Sequence, residues 1–323
     1  MTNQALPSLA DIERVRSRVA PHVHRTPLLH VRSLGEPLGA ELWLKAETFQ
    51  RTGSYKPRGI VNRLLALSPE VRQRGVITVS AGNAAQAVAY AAARIGCPAI
   101  AVMPENASLA KVEATKAYGA QIVLHGTSPE AFARAKHLAA EHGYTFIAPS
   151  DHPDVITGHA AIGLEILEDL PDVDLILVPV GAGGLGAGIA TAIAASGASA
   201  RVVGVEPEGA NSMALSLEAG RPTDLPGPPA TIADGLAYPF GGQHTFPIFR
   251  DHVERVLSVP DASIQQAMWL IMTRAKLYAE PSGAAGLAGL LTQAEALRPF
   301  RKIVCVISGG NIDPASLAQL AQP

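Results

Sequence analysis

Two spacings of apolar positions alternate along the chain. Short continuous apolar runs, at Val76 to Ser80, Pro98 to Met103, Gln121 to Leu124 and Tyr144 to Ile147, stand between longer segments whose apolar residues fall three and four apart. The runs predict strands buried on both faces, and the longer segments predict amphipathic helices. Those helices are Asn83 to Arg94, Ser108 to Tyr118 and Pro129 to Glu141. Strands separated by helices of this length indicate βαβ units and a parallel sheet.

The flanking sequence carries a second set of elements. Before the block lie a helix from Asp11 to Ala20, a strand from Glu41 to Lys45 and a helix from Pro57 to Ala66. After it come a helix from Ile156 to Leu167, a strand from Leu175 to Val178, a helix from Leu185 to Ala195 and a strand from Val202 to Val205. Helices at Ser263 to Lys276 and Ala284 to Leu297 and a strand at Ile303 to Ile307 close the chain. The stretch from Glu208 to Phe246 is rich in Gly and Pro and too long for a simple connector, as functional loops often are. The expectation is an α/β fold of two open, twisted, mostly parallel sheets with flanking helices. Residues 1–70 and 153–323 would form a large domain and residues 71–152 a small mobile βαβ domain. Ligands of such sheets sit beyond the carboxyl ends of the strands, here in the cleft between domains.

One stretch imitates a membrane span: Leu175 to Ala200 carries no charge over 26 residues. It holds Pro179 and six glycines and changes character halfway, so a strand, a loop and a small-residue helix describe it better. The Met1 to Ala10 segment is polar and has no apolar core of a secretory signal. With 48% hydrophobic and 17% charged residues among 323, the chain has a globular composition with room for two domains. A net charge of −2 gives no footprint for nucleic acid or an acidic membrane. Two cysteines, Cys97 and Cys305, are too few for a disulfide scaffold and fit a reducing cytoplasm.

The chemistry lies after the strands. Four strand ends run into glycines mixed with small hydroxyl or amide residues: Thr52-Gly53-Ser54-Tyr55-Lys56, Ser80-Ala81-Gly82-Asn83, Gly181-Ala182-Gly183-Gly184-Leu185 and Ser308-Gly309-Gly310-Asn311. Such turns bring backbone N–H groups up to a ligand. The Gly181 loop, opening a helix, is a candidate phosphate cradle, or else merely allows close helix–strand packing. Gly181, Gly183 and Gly186 also spell G-x-G-x-x-G, with Glu206 25 residues beyond Gly181, which reads as a dinucleotide fingerprint and an NAD-dependent dehydrogenase. That reading leaves Lys56 and the Ser308 loop unexplained. Lys56 precedes a helix, where a cation is disfavoured, and its pKa is expected to be lowered as a Schiff-base lysine requires; the alternative is a solvated surface lysine.

Taken together, the chain resembles the fold-type-II pyridoxal-phosphate enzymes, tryptophan synthase β-like in fold, and among them the serine/threonine dehydratase (threonine ammonia-lyase) and serine racemase family. The resemblance runs nearly the whole length. It includes Arg25-Thr26-Pro27-Leu28, Lys45-x-Glu47, Thr52 to Gly59, Ser80 to Asn83, Asp151-His152-Pro153, Gly163-Leu164-Glu165, Gly181 to Leu185, Gly204-Val205-Glu206-Pro207, Asp234-Gly235-Leu236, Glu280-Pro281-x-Gly283-Ala284 and Ser308 to Asn311. It implies pyridoxal 5'-phosphate as cofactor, with Lys56 attaching it and then acting as base at the substrate Cα. Asn83 would bind the cofactor's 3-hydroxyl. Gly181, Ala182, Gly183, Gly184 and Leu185 would wrap its phosphate. Ser308 would face the ring nitrogen and Gly235 the ring edge, with Tyr55, Glu280 and Gly309 alongside. Ser80, Ala81, Gly82 and Asn83 would hold the substrate carboxylate. A serine at the ring nitrogen makes a weak electron sink, which suits direct loss of a β-group better than a persistent carbanion.

The sequence also departs from the family. Where racemases carry a second serine as the opposite-face base, Ala81 stands, which favours elimination over racemisation. Ala84 replaces a usual histidine, and His159 lies in a usual Gly-Gln-Gly-Thr; His159 either compensates at the carboxylate or packs structurally. Ser212 replaces an acid of the family's cation site, so no metal is expected, and Glu206 would be a structural strand-end acid. Tyr238 and Phe240 are bulky for a serine or threonine pocket and belong either to loop packing or to a larger substrate. The length past Ser308 is short for an appended regulatory domain. The expected function is β-elimination from a β-hydroxy-α-amino acid such as L-threonine or L-serine, giving a 2-oxo acid and ammonia. A racemase, or a lyase for hydroxyaspartate or phenylserine, is the alternative within the class; a dehydrogenase and a non-catalytic amino-acid sensor are the alternatives outside it. The resemblance implies a homodimer.

Overall fold

A computed structural model describes residues 6–320. The first five residues of the Met1 to Ala10 segment lie outside it. Ten strands occur in chain order: β1 (Leu28–His30), β2 (Glu41–Ala46), β3 (Val76–Val79), β4 (Ala99–Met103), β5 (Gln121–Leu124), β6 (Thr145–Phe146), β7 (Leu175–Pro179), β8 (Arg201–Pro207), β9 (Arg255–Val259) and β10 (Lys302–Ile307). Six form one sheet in the order β1-β2-β10-β7-β8-β9, and four form a second in the order β5-β4-β3-β6. Every pairing is parallel except β1 with β2 at the edge of the larger sheet.

Strand β10, last in sequence, lies between β2 and β7, and Cys305 is level with both Leu44 and Leu177. The loops that follow β2, β10 and β7 therefore leave from neighbouring strands at one edge of the sheet. Side chains alternate across it as the pleat requires. Leu175 and Leu177 join a core with the Asp261–Leu270 and Pro281–Thr292 helices. Ile176 and Val178 join another with the Pro153–Asp169, Gly184–Ser196 and Thr245–His252 helices. In the smaller sheet Val76 packs with the Lys56–Leu65 and Asn83–Ile95 helices, and Ile77 with the Ser128–His142 helix.

One ambiguous stretch folds as the sequence reading expected, and other elements differ from it. The charge-free run from Leu175 divides into β7 and the Gly184–Ser196 helix, and no helix among the described residues is long and apolar enough to cross a membrane. The helix expected from Ser263 to Lys276 widens into a π turn at Ile271–Ala275 and ends at Lys276, whose φ of 58° is left-handed. The helix expected from Ala284 to Leu297 begins at Pro281 and breaks at Gln293. The Glu208 to Phe246 section contains the Ser212–Ala219 helix, and β9 follows it.

Candidate active site

Adjacent strands deliver three of the four glycine-containing turns to one place. The turn before Lys56 pairs with the turn after β10: Ser54 bridges Gly309, and the Tyr55 amide donates to the Ser308 carbonyl at 3.0 Å. Lys56 is the first residue of its helix, is 6% exposed, and its Nζ donates to the Pro149 carbonyl at 3.1 Å. The Tyr55 ring lies 5.1 Å from that nitrogen. The lysine amine is thus held inside the fold at the start of a helix, beside an aromatic ring. Thr52 just upstream has a φ of 61°, and the Asn311 amide holds its carbonyl at 2.6 Å, fixing the approach to the lysine.

The Gly181 turn faces Lys56 across a small cavity. Tyr55, Lys56, Gly181, Ala182, Gly183, Gly184, Leu185, Gly235 and Tyr238 line it together with Ser150 and Leu236. Its glycines are required. Gly183 has a φ of 89°, and a Cβ there would lie 2.9 Å from Thr245. A Cβ on Gly181 would lie 2.8 Å from the Tyr238 ring, and one on Gly184 would lie 2.6 Å from Ser150 Oγ. Side chains thus hold the loop closely, while the Gly184–Ser196 helix begins at it. A shallower depression of about 480 Å³, lined by Arg25, Trp43 and Asp169, has no such amides, and its Arg25 is already paired with Glu168 and Asp169.

The fourth turn comes from the smaller sheet. Asn83 Nδ2 donates to Glu280 Oε1 at 2.6 Å, and Asn83 Oδ1 accepts from Asn311 Nδ2 at 2.7 Å. One Asn83 N–H is left for a ligand. Burial, reinforced by Asp234, pushes the Glu280 carboxyl up to about 7. Gly309 is wedged here: a Cβ on it would lie 2.6 Å from Glu280 Oε1 and 3.2 Å from Asn83 Nδ2. Ser308 Oγ makes only a long 3.5 Å contact to the Ser282 carbonyl, while Ser282 Oγ accepts the Gly235 amide. Ser80, Ala81 and Gly82 form a half-buried turn in which the Gly82 amide donates to Ser80 Oγ at 3.1 Å.

Two residues expected near a substrate carboxylate sit elsewhere. Ala84 is buried, its methyl turned into the packing of the Asn83–Ile95 helix. His159 is fully buried, with Nδ1 3.3 Å from the Gly184 carbonyl and its ring edge-on to Tyr55. Burial, with Lys56 close by, holds its pKa down to about 3, so the imidazole is neutral and supports the loop rather than an anion. Glu206, read both as a ribose acid and as a strand-end acid, accepts the Met213 and Ala214 amides at 2.9 Å and starts the Ser212–Ala219 helix.

A buried ion cluster fixes the lysine's helix from the other side. Arg58, two residues after Lys56, binds Glu47 and Glu165, and Lys45 binds Glu165 at 2.6 Å, with all four side chains buried. Burial works against the Arg58 charge, and the two carboxylates more than offset it.

These groups form a lysine, a neutral amide and hydroxyl set, and an amide-lined cradle. The family model of pyridoxal-phosphate dependent enzymes matches residues 19–309. The chain belongs to that family. It is 42% identical to the L-threonine ammonia-lyase of Thermotoga maritima over 95% of this chain and 76% of that one. It is 39% identical to the L-threo-3-hydroxyaspartate ammonia-lyase of Saccharomyces cerevisiae over 98% and 96% of the two chains. The solved structure of maize serine racemase, at 39% identity, superposes with a TM-score of 0.92 over 98% of this chain and 97% of that one. Pyridoxal phosphate is therefore the cofactor, and the nicotinamide reading of Gly181, Gly183 and Gly186 is set aside; the cradle that Gly181 and Gly183 line also contains Lys56, while Gly186 packs against Phe249 and Val178.

Sequence reasoning passed over several residues of the site. The Asp151 carboxylate accepts the amides of Gln243, His244 and Thr245, and Thr245 Oγ1 donates to the Ala182 carbonyl at 2.7 Å. In the sequence Asp151 stands out only through the Asp151-His152-Pro153 resemblance. A polar run, Ser150-Asp151-His152, directly before a proline-led helix was the available signal for this segment. Nothing in the sequence marks Thr245.

Proposed function

We propose that this protein eliminates water from a β-hydroxy-α-amino acid of the L-threonine or L-serine type, and that a water molecule then hydrolyses the resulting imine to ammonia and a 2-oxo acid. Bound pyridoxal phosphate supplies the electron sink that lets a Cα proton and a β-hydroxyl leave the amino acid. Lys56 Nζ would hold the cofactor and would serve as the base that takes the Cα proton. The Gly181 to Leu185 turn would hold the phosphate, and Asn83 would donate to the 3-hydroxyl through its remaining N–H. The Ser308 hydroxyl would serve the ring nitrogen, with Gly235, Glu280 and Gly309 lining the same site. Ser80, Ala81 and Gly82 hold the substrate carboxylate, and Tyr238 closes the side-chain end.

The observation that carries this reading is the placement of Lys56: a buried amine at a helix start, opposite an amide-lined cradle. Elimination is favoured over racemisation because Ala81 has no proton to give or take on the opposite face. The relatives named as threonine and hydroxyaspartate ammonia-lyases support it. In the same reading residues 71–152 form a small unit that closes over the larger one. The chain pairs as a homodimer that covers the exposed Phe49 and Tyr278 and gives twice the chain mass in sedimentation. It works in the cytoplasm, consistent with two free buried cysteines, and cell fractionation checks that placement.

The test is reconstitution with pyridoxal phosphate, followed by borohydride reduction and peptide mapping. Label on Lys56, with 2-oxo acid release from L-threonine or L-serine, is the expected result. A Lys56→Ala protein that is still labelled at the same yield overturns the assignment, and D-isomer formation without oxo-acid release favours the racemase.

A further inference from the structure

We propose that Ser150 is a side-chain ligand of the cofactor phosphate, an inference that rests on the function proposed above. Ser150 is 3% exposed and lines the cradle cavity. Its Oγ accepts the Gly184 amide at 3.1 Å, which places the hydroxyl inside the turn that the amides of Gly181 to Leu185 form. A serine hydroxyl accepts and also donates. With the Gly184 N–H on its lone pair, the Ser150 O–H points away from Gly184, and among the described residues no acceptor takes it. An unspent buried donor beside an amide cradle is the complement of an anionic oxygen.

The position is rigid. The Ser150 carbonyl accepts from the His152 amide at 3.1 Å, and its neighbours are tied on both sides. The Pro149 carbonyl takes Lys56 Nζ, and Asp151 takes three amides at the start of the Thr245–His252 helix. Ser150 thus extends the polarity of the Gly184 amide by one hydroxyl. It adds a donor from the segment that returns from the smaller sheet to the larger, which no glycine motif reveals.

The experiment titrates the apoprotein with pyridoxal 5'-phosphate and, separately, with pyridoxal, which lacks the phosphate, following absorbance and tyrosine fluorescence. Wild type, Ser150→Ala and Ser150→Cys are compared. Loss of a hydrogen bond to a charged group predicts a Kd for pyridoxal phosphate raised about 10- to 100-fold in Ser150→Ala, with the Kd for pyridoxal unchanged within about twofold. Ser150→Cys, which fills the same space and donates weakly, falls between. An unchanged Kd for pyridoxal phosphate, or equal weakening of both ligands, overturns the proposal and leaves the proposed function standing. A wild-type protein that binds neither ligand overturns both.

Discussion

At the scale of single residues, the site is defined by which groups are spent and which are free. Glu280 is a titratable group among them. Its carboxyl is buried against Asn83, and burial, with Asp234 adding to it, pushes its pKa up to about 7. The unfolded chain ionises this carboxyl near its ordinary value of 4.5. Between the two values the folded state holds the proton more tightly, so this group's contribution to stability is fully present below about pH 4.5 and is lost as pH rises toward 7. The limiting slope for one group is about 1.4 kcal/mol per pH unit. Glu280→Gln removes the titration. Thermal unfolding of the apoproteins from pH 5 to 8 is expected to show wild type losing stability relative to the variant up to about pH 7, with no further divergence above it. Parallel curves across that range would show that Glu280 titrates in its ordinary range.

At the scale of elements, the argument turns on loops between well-formed strands. The strands were legible because those buried on both faces are continuous apolar runs, as in β4 within the run from Pro98 to Met103; β5 also falls where the run from Gln121 to Leu124 does, but at the sheet edge it is exposed at both ends rather than buried. Strand β1 was not legible: three residues ending in His30 carry no periodicity, and its antiparallel pairing with β2 is set by the sheet edge. Strand β9 begins at Arg255 and is half-buried over much of its length, so its pattern resembles a loop. The glycine turns were legible as chemistry, but their bracing was not, because contacts such as Ser150 with Gly184 join residues 34 positions apart. The bracing gives a paired expectation. Gly184→Ala places a Cβ 2.6 Å from Ser150 Oγ and 2.7 Å from its backbone carbonyl, which cannot move aside. Gly82→Ala meets nothing within 4 Å. Overpacking predicts a loss of about 1–3 kcal/mol for the first, against less than about 0.5 kcal/mol for the second, measured by denaturant unfolding of the apoproteins. Similar losses in both would mean that the cradle yields.

At the scale of the whole molecule, neutral polar contacts such as Asn83 with Glu280 and Asn311 tie the two sheets together, and an ion pair joins them as well. Lys111, on the Leu109–Ala117 helix beside the smaller sheet, pairs at 2.5 Å with Asp234, which precedes Gly235 at the cavity wall. Both side chains are partly open to solvent, at 26% and 64% exposure, so the pair is worth no more than about 1 kcal/mol and is screened by salt. Such a pair does little for folding. Its weight falls on the balance between open and closed forms, where about 1 kcal/mol shifts a population about fivefold. If residues 71–152 close over the substrate, Lys111→Gln lowers the closed population and raises KM for the amino acid up to about fivefold. The melting temperature then moves by no more than about 3 °C. Raising ionic strength from 0.05 to about 1 M shrinks the Debye length to about 3 Å and lifts the wild-type KM toward that of the variant, whose own KM stays nearly flat. A variant with unchanged KM at low salt, or equal salt responses in both proteins, would mean that the cleft closes without this tie. Dependence confined to the wild type would place a charge-sensitive closure next to Gly235, which lines the same cavity as Lys56 although far from it in sequence.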